Sequence, residues 1–106
     1  MQGRQRIHPK LFYQVSLEDL VPADNYYRRL SSCLDLGFLY KATARFYGTE
    51  GQESIDPVVF FKMLLVGYLN NINSDRKLIA FCSNCLDVRL FLNYDLDEVL
   101  PWYSTV

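Results

Sequence analysis

Several groupings in this chain combine residue types and spacings that could do chemistry. Cys82-Ser83-Asn84-Cys85 has the two-residue gap of metal and redox sites. Ser74 and Lys77 stand at the Ser-x-x-Lys spacing of a nucleophile beside a base. Asp95, Asp97 and Glu98 form an acidic cluster that could take a cation. Arg76, Lys77, Ser83 and Asn84 recur at a spacing that one helix face would share. Those last side chains could meet phosphates and base edges.

The first three groupings have simpler readings. A structural zinc needs four ligands, and the remaining candidates are Cys33 and His8, the latter beside Pro9 near the terminus. A redox pair expects a strand-to-helix setting, whereas this pair falls in a helical stretch. Buried cysteines on an apolar stripe fit better. Ser74 reads as a helix cap followed by a basic first turn. The acidic cluster lacks the glycine and ordered oxygen spacing of a calcium loop. Gly48 and Gly51 are isolated, so no phosphate-cradling loop is formed. The expectation is a chain with no catalytic residue, metal or cofactor, and not an enzyme.

Composition bounds the rest. The chain has 106 residues, half of them apolar and 22% charged, which is one folded domain with ample core material. The net charge of −1 excludes a strongly basic, non-specific polyanion binder. The charge is uneven, however: Arg4, Arg6 and Lys10 make the first ten residues a basic stretch without an acid. The longest apolar run, Val58 to Leu69, contains Lys62 and is far shorter than the ~20 residues of a membrane span. No membrane partner or small-molecule substrate is expected. An odd cysteine count and no visible signal peptide make a reducing cytoplasm the expected compartment.

The elements that must position these residues read as follows. Residues 1–15 form a basic arm, in which Leu11, Phe12, Tyr13 and Val15 could make a short extended anchor. Residues 16–106 form a helical domain. Ser16 opens a first helix as a capping box, and Pro22 ends it. Asp24 caps a second helix with Tyr27, Leu30, Cys33 or Leu34, and Phe38 on its apolar side. A third covers about Phe38 to Tyr47, with Phe38, Leu39, Ala42 and Phe46 inward and Lys41 and Arg45 outward. Residues 48–55 are a loop. Asp56-Pro57 starts a helix over about 57–70 that is apolar on nearly every face and must therefore be central. Asn70-Asn71-Ile72-Asn73 ends it, since Asn tolerates the left-handed conformation of helix ends. Ser74 caps the next helix, to about Asn84, and Leu86 to Leu92 form a short last one. Period-two alternation never persists. The fold class is all-α: a compact bundle of five or six short helices around the central apolar one.

The pair joined by Asn70–Asn73 suits a helix-turn-helix. Outward positions of its second helix are Asn73, Arg76, Lys77, Ala80, Ser83, Asn84 and Asp87. Arg can read guanine, Asn adenine, and Lys can meet phosphate. A solvated helix face gives the same pattern, and a free terminus the same arm. Arg4 and Arg6 are similar to arms that enter the minor groove beside helical DNA-binding domains.

Ser54-Ile-Asp-Pro-Val58, Ser74-Asp-Arg-Lys-Leu78, Phe91 to Asp97 and Pro101 to Thr105 fall in an order that resembles one family. This is the N-terminal helical domain of bacterial insertion-sequence transposases of the Asp-Asp-Glu nuclease type. Leu17-Glu-Asp-Leu-Val-Pro-Ala-Asp24 resembles its leading segment, so the likeness runs from about residue 11 onward. The chain departs from it at Gly51-Gln52-Glu53-Ser54, where members often read Gly-Arg-Pro-Ser, and at Trp102-Tyr103, where a His often precedes Ser. The nuclease carboxylates have no counterpart here, so no catalytic residue carries over and the chain reads as an excised or truncated transposase. The resemblance implies binding to double-stranded DNA at the element's terminal repeats, in a homo-oligomer. DNA contacts are expected from Arg76, Lys77, Ser83 and Asn84, from Arg4, Arg6 and Lys10 in the arm, and from Arg28 and Arg29. Lys41 and Arg45 are weaker phosphate candidates. The alternative is a dimerisation module acting through Phe60, Phe61 and Tyr68, or a regulatory truncated transposase that does not touch DNA.

Overall fold

The structure, a computed structural model, describes residues 2–44 and 55–101. Regular structure among them is entirely α-helical: α1 (Leu17–Leu20), α2 (Tyr26–Cys33), α3 (Phe38–Thr43), α4 (Pro57–Leu69), α5 (Asp75–Asn84) and α6 (Leu86–Leu92). Arg45, the expected third-helix end at Tyr47, loop residues 48–54 and the exit Trp102–Thr105 lie outside the described residues. Ile55, assigned to that loop, is buried in the core.

Local chemistry sets the boundaries. Ser16 caps α1, accepting from the Asp19 N–H at 3.3 Å. The α2 cap is Asn25 rather than Asp24; its Oδ1 accepts from the Tyr27 N–H at 2.8 Å. Asp56 caps α4 through Val58 N–H at 2.8 Å, with Pro57 in the first turn, where its missing donor costs nothing. Asp56 also accepts from the Tyr40 hydroxyl at 2.8 Å, tying α3 to the start of α4. At the other end Asn71 takes the left-handed conformation (φ 55°), and Ile72 N–H bonds back to Gly67 O at 2.8 Å. That closure satisfies carbonyls the helix would leave orphaned. Asn93 (φ 64°) ends α6 in the same way, with Tyr94 N–H on Arg89 O at 2.9 Å.

The core is apolar throughout, with no buried polar or charged residue among those described. Met63 and Val66 of α4, Cys82 of α5 and Val88, Phe91 and Leu92 of α6 are almost wholly enclosed, with Tyr27, Val59, Leu78 and Leu100 around them. Helix α4 packs against α3, α5 and α6, while α6 packs against α1, α2, α4 and α5. The short last helix therefore shares the centre with the long apolar one. Gly67 sits where α5 crosses closest; a Cβ there would meet Leu78 Cδ2 at 3.2 Å.

Two expectations are corrected, and the choice left open between Cys33 and Leu34 is decided. Helix α3 touches α4 and buries no residue: Phe38 and Ala42 are exposed and Leu39 half-buried, because a helix covered on one edge cannot enclose a full stripe. Cys33 is exposed and Leu34 packs against the core in its place. The segment Leu11, Phe12, Tyr13 and Val15 is exposed and buries no anchor residue. On α4, Phe61, Leu64 and Tyr68 face outward although the helix is apolar all round.

Candidate nucleic-acid interface

Helix α5 divides into two sides. Leu78 and Cys82 are buried against α4 and α6, with Ile79 and Phe81 half-buried beside them. Arg76, Lys77, Ala80 and Asn84 lie on the exposed side, together with Asn73 just before the helix, and Ser83 is half-buried at its edge. The spacing of three and four residues makes these neighbours on one surface. Ser74 is the cap, its Oγ accepting from the Lys77 N–H at 3.4 Å, which accounts for the Ser-x-x-Lys spacing.

The charge placement is informative. Asp75, Arg76 and Lys77 fill the first turn of α5. The helix macrodipole favours acids there and disfavours cations by about 0.3–1 kcal/mol each. Asp75 fits that preference, whereas Arg76 and Lys77 oppose it. Neither cation makes a side-chain hydrogen bond or ion pair among the described residues. Two unneutralised cations at the electropositive end of a helix suit an external anion, and phosphate is the anion that helix N-termini and Arg/Lys both hold.

The other arginines are sorted by their partners. Arg28 is committed to the fold: its guanidinium donates to Val21 O at 2.9 Å and Glu18 O at 2.7 Å, and pairs with the Glu18 carboxylate at 3.0 Å. It thereby closes the carbonyl end of α1. Arg29, next in sequence, is exposed on α2. Arg89 donates to Ser83 O at 2.7 Å, Asp95 O at 2.6 Å and Glu98 O at 2.9 Å. It caps the end of α5 and holds the acidic turn, whose Glu98 carboxylate also accepts from Asp95 N–H at 3.0 Å. Nothing in a helical periodicity marks this role, and sequence reasoning missed it. Arg4, Arg6 and Lys10 are exposed in the arm, and Lys41 is exposed on α3. Asp87, expected on the outer face of α5, belongs to α6, where it accepts from Asn25 Nδ2 at 3.1 Å. It is therefore removed from the α5 surface.

The α2 helix is linked to the turn before α5. Asn70 Nδ2 donates to the Tyr27 hydroxyl at 2.9 Å and to Val66 O at 2.8 Å. Burial raises the Tyr27 phenol, and the Asn70 bond lowers it in part. Lys62, the one charge of α4, donates to Phe91 O at 2.9 Å and lies 4.9 Å over the Phe91 ring. Desolvation lowers its ammonium pKa.

Cys82 and Cys85 straddle the end of α5, with Cys85 at the single break between α5 and α6. Burial pushes the Cys82 thiol up to about 12, and that of Cys85 rises for the same reason. A thiol so placed is a small hydrophobe at neutral pH, neither nucleophile nor ready ligand. Among the described residues no three His, Cys, Asp or Glu side chains gather as a metal set, and no helix is long and apolar enough to cross a membrane.

A helical domain with a capped helix, a short asparagine turn and a second helix presenting a cationic end is the class of protein defined here. The chain belongs to the transposase domain family (DUF772), whose model matches residues 15–106. No curated protein and no solved structure matches it.

Proposed function

We propose that this chain is a DNA-binding and assembly domain of an insertion-sequence transposase, with α4, the Asn70–Asn73 turn and α5 acting as a helix-turn-helix. The observation that carries this reading is the pair Arg76 and Lys77, exposed and unneutralised in the first turn of α5. Helix α5 enters the major groove at the element's terminal repeats, Ser83 and Asn84 meet base edges farther along, and Arg76 and Lys77 take phosphates. The basic arm of residues 1–15 adds Arg4, Arg6 and Lys10 from the minor groove, and Arg29 adds a backbone contact. Arg28 braces α1. Strand cutting and joining belong to an Asp-Asp-Glu nuclease of the same transposase, and this domain works in the bacterial cytoplasm, on the nucleoid. Titrating duplex DNA that carries the terminal repeats, followed by fluorescence anisotropy, tests the reading. Tighter binding than to a scrambled duplex is expected; equal binding to both removes end recognition.

A second reading is favoured by a separate observation. The outward stripe of α4 is apolar, and the chain as a whole is acidic, which suits assembly with further copies of itself. The two readings are compatible, since two-fold assembly would present two recognition helices to two DNA sites.

A further inference from the structure

We infer that a second copy of this chain seats against the outward stripe of α4, and that the apolar part of each arm, Leu11 to Val15, crosses over to complete the contact. This rests on the self-assembly reading above and assigns it a surface.

On the side of α4 away from Met63 and Val66, Phe61, Leu64 and Tyr68 are 41%, 47% and 84% exposed. Their spacing of three and then four residues is that of a seam which another helix fills, side chain between side chains. The stripe is uncharged, because Lys62 turns inward to Phe91 O. Two copies facing each other across a two-fold axis therefore bring no like charges together, and a DNA backbone finds nothing to bind there.

Area decides the part played by the arm. Taking ~200 Å² for a whole large side chain, the stripe offers roughly 350 Å² per copy, or roughly 700 Å² for the pair, which is the size of a casual contact. In the arm Leu11, Phe12, Tyr13 and Val15 are 88%, 83%, 62% and 52% exposed. An arm laid on its partner's stripe buries a matching area of its own, which brings the pair to roughly 1,400 Å², within the standard range for a stable interface. The stripe needs the arm to make a dimer, and the arm needs a surface. Arg4, Arg6 and Lys10 directly precede the apolar segment, so seating it on the partner would fix the cations of both copies relative to the two α5 helices.

Sedimentation equilibrium of the full chain over the micromolar range tests this. A dimer is expected, weakened at least about tenfold by Tyr68→Glu and equally by Phe12→Ser. Both positions are exposed, so the circular dichroism spectrum should be unchanged, and the melting temperature should match the parent's at concentrations where both are monomers. In a Cys33→Ser background, oxidising a mixture of a Phe12→Cys chain and a Tyr68→Cys chain should give a disulfide-linked pair. A monomer at every concentration overturns both this inference and the self-assembly reading. A dimer indifferent to Tyr68→Glu overturns the interface and leaves self-assembly standing. An internal disulfide in monomers of the Phe12→Cys/Tyr68→Cys double variant overturns the crossing of the arms.

Discussion

Replacing Arg89 with Met should destabilise this domain strongly. The guanidinium donates to three backbone carbonyls, Ser83 O at 2.7 Å, Asp95 O at 2.6 Å and Glu98 O at 2.9 Å. A hydrogen bond to a charged group contributes about 1.5–3 kcal/mol. The Ser83 bond is half-buried and keeps about 2 kcal/mol of that, while the two exposed bonds, where water replaces the lost donor, keep about 0.5 kcal/mol each. Their total of about 3 kcal/mol is a large part of the 5–15 kcal/mol typical of a whole domain. At about 4–8 °C per kcal/mol, the melting temperature should fall by roughly 12–24 °C. Thermal and urea melts followed by circular dichroism at 222 nm give the number directly. Met keeps most of the stem, so apolar packing is spared and the loss reports the fork. Arg89→Lys, which cannot fork, should recover less than half of it. A fall of less than about 4 °C for Arg89→Met would refute the idea that this side chain holds α5, α6 and the acidic turn together.

The other predictions follow from single contacts. Met63→Ala, at a fully enclosed position, should cost about 2–5 kcal/mol in a urea melt, and a smaller loss would mean that the core collapses around the gap. Asp56→Ala removes both the α4 cap and the acceptor for Tyr40, and should cost about 1–2 kcal/mol by the same assay. Asn71→Gly should be neutral or slightly stabilising, and Asn71→Val should cost about 1–2 kcal/mol, since φ of 55° is easy only for glycine and asparagine. Cys82 has its folded pKa raised from 9.0 to about 12, so it favours the folded state fully below pH 9. That contribution is lost as pH rises from 9 towards 12, because the unfolded chain ionises first. Unfolding free energy should decline over that window, and Cys82→Ala should flatten the decline. In a thiol-labelling time course Cys33 should react fast and Cys82 only on unfolding.

Much of the fold was legible because helix ends are written in short-range chemistry. Ser16, Asp56-Pro57, the Asn70–Asn73 turn and Ser74 mark boundaries with side chains that bond to nearby backbone, and the structure uses all of them. Adjacent candidates are harder to separate: Asp24 and Asn25 are both good caps, and only the turn from Pro22 onward decides for Asn25. Periodicity shows which residues share a face, but not whether another element covers it. That is why the stripe of α3 and the outer side of α4 could not be told from core, and why Leu34 rather than Cys33 turned inward. The basic residues show the limit most clearly. Arg28, Arg29, Arg76 and Arg89 are alike in the sequence, yet two of them close carbonyl ends of helices and two project into solvent. The bonds of Arg28 and Arg89 go to backbone oxygens six to ten residues away along the chain, and no pattern of residue types encodes those acceptors.

The central proposal is that the free cations of α5 hold DNA phosphates. The most direct test is the salt dependence of binding to terminal-repeat duplex, comparing the parent chain with Arg76→Ala/Lys77→Ala. Each phosphate contact removed should make the slope of log K against log salt shallower by about one, so a change of about two is expected, with a melting temperature no lower than the parent's. An unaltered affinity and slope in that variant, with α5 still folded, would contradict the assignment of this helix to nucleic acid.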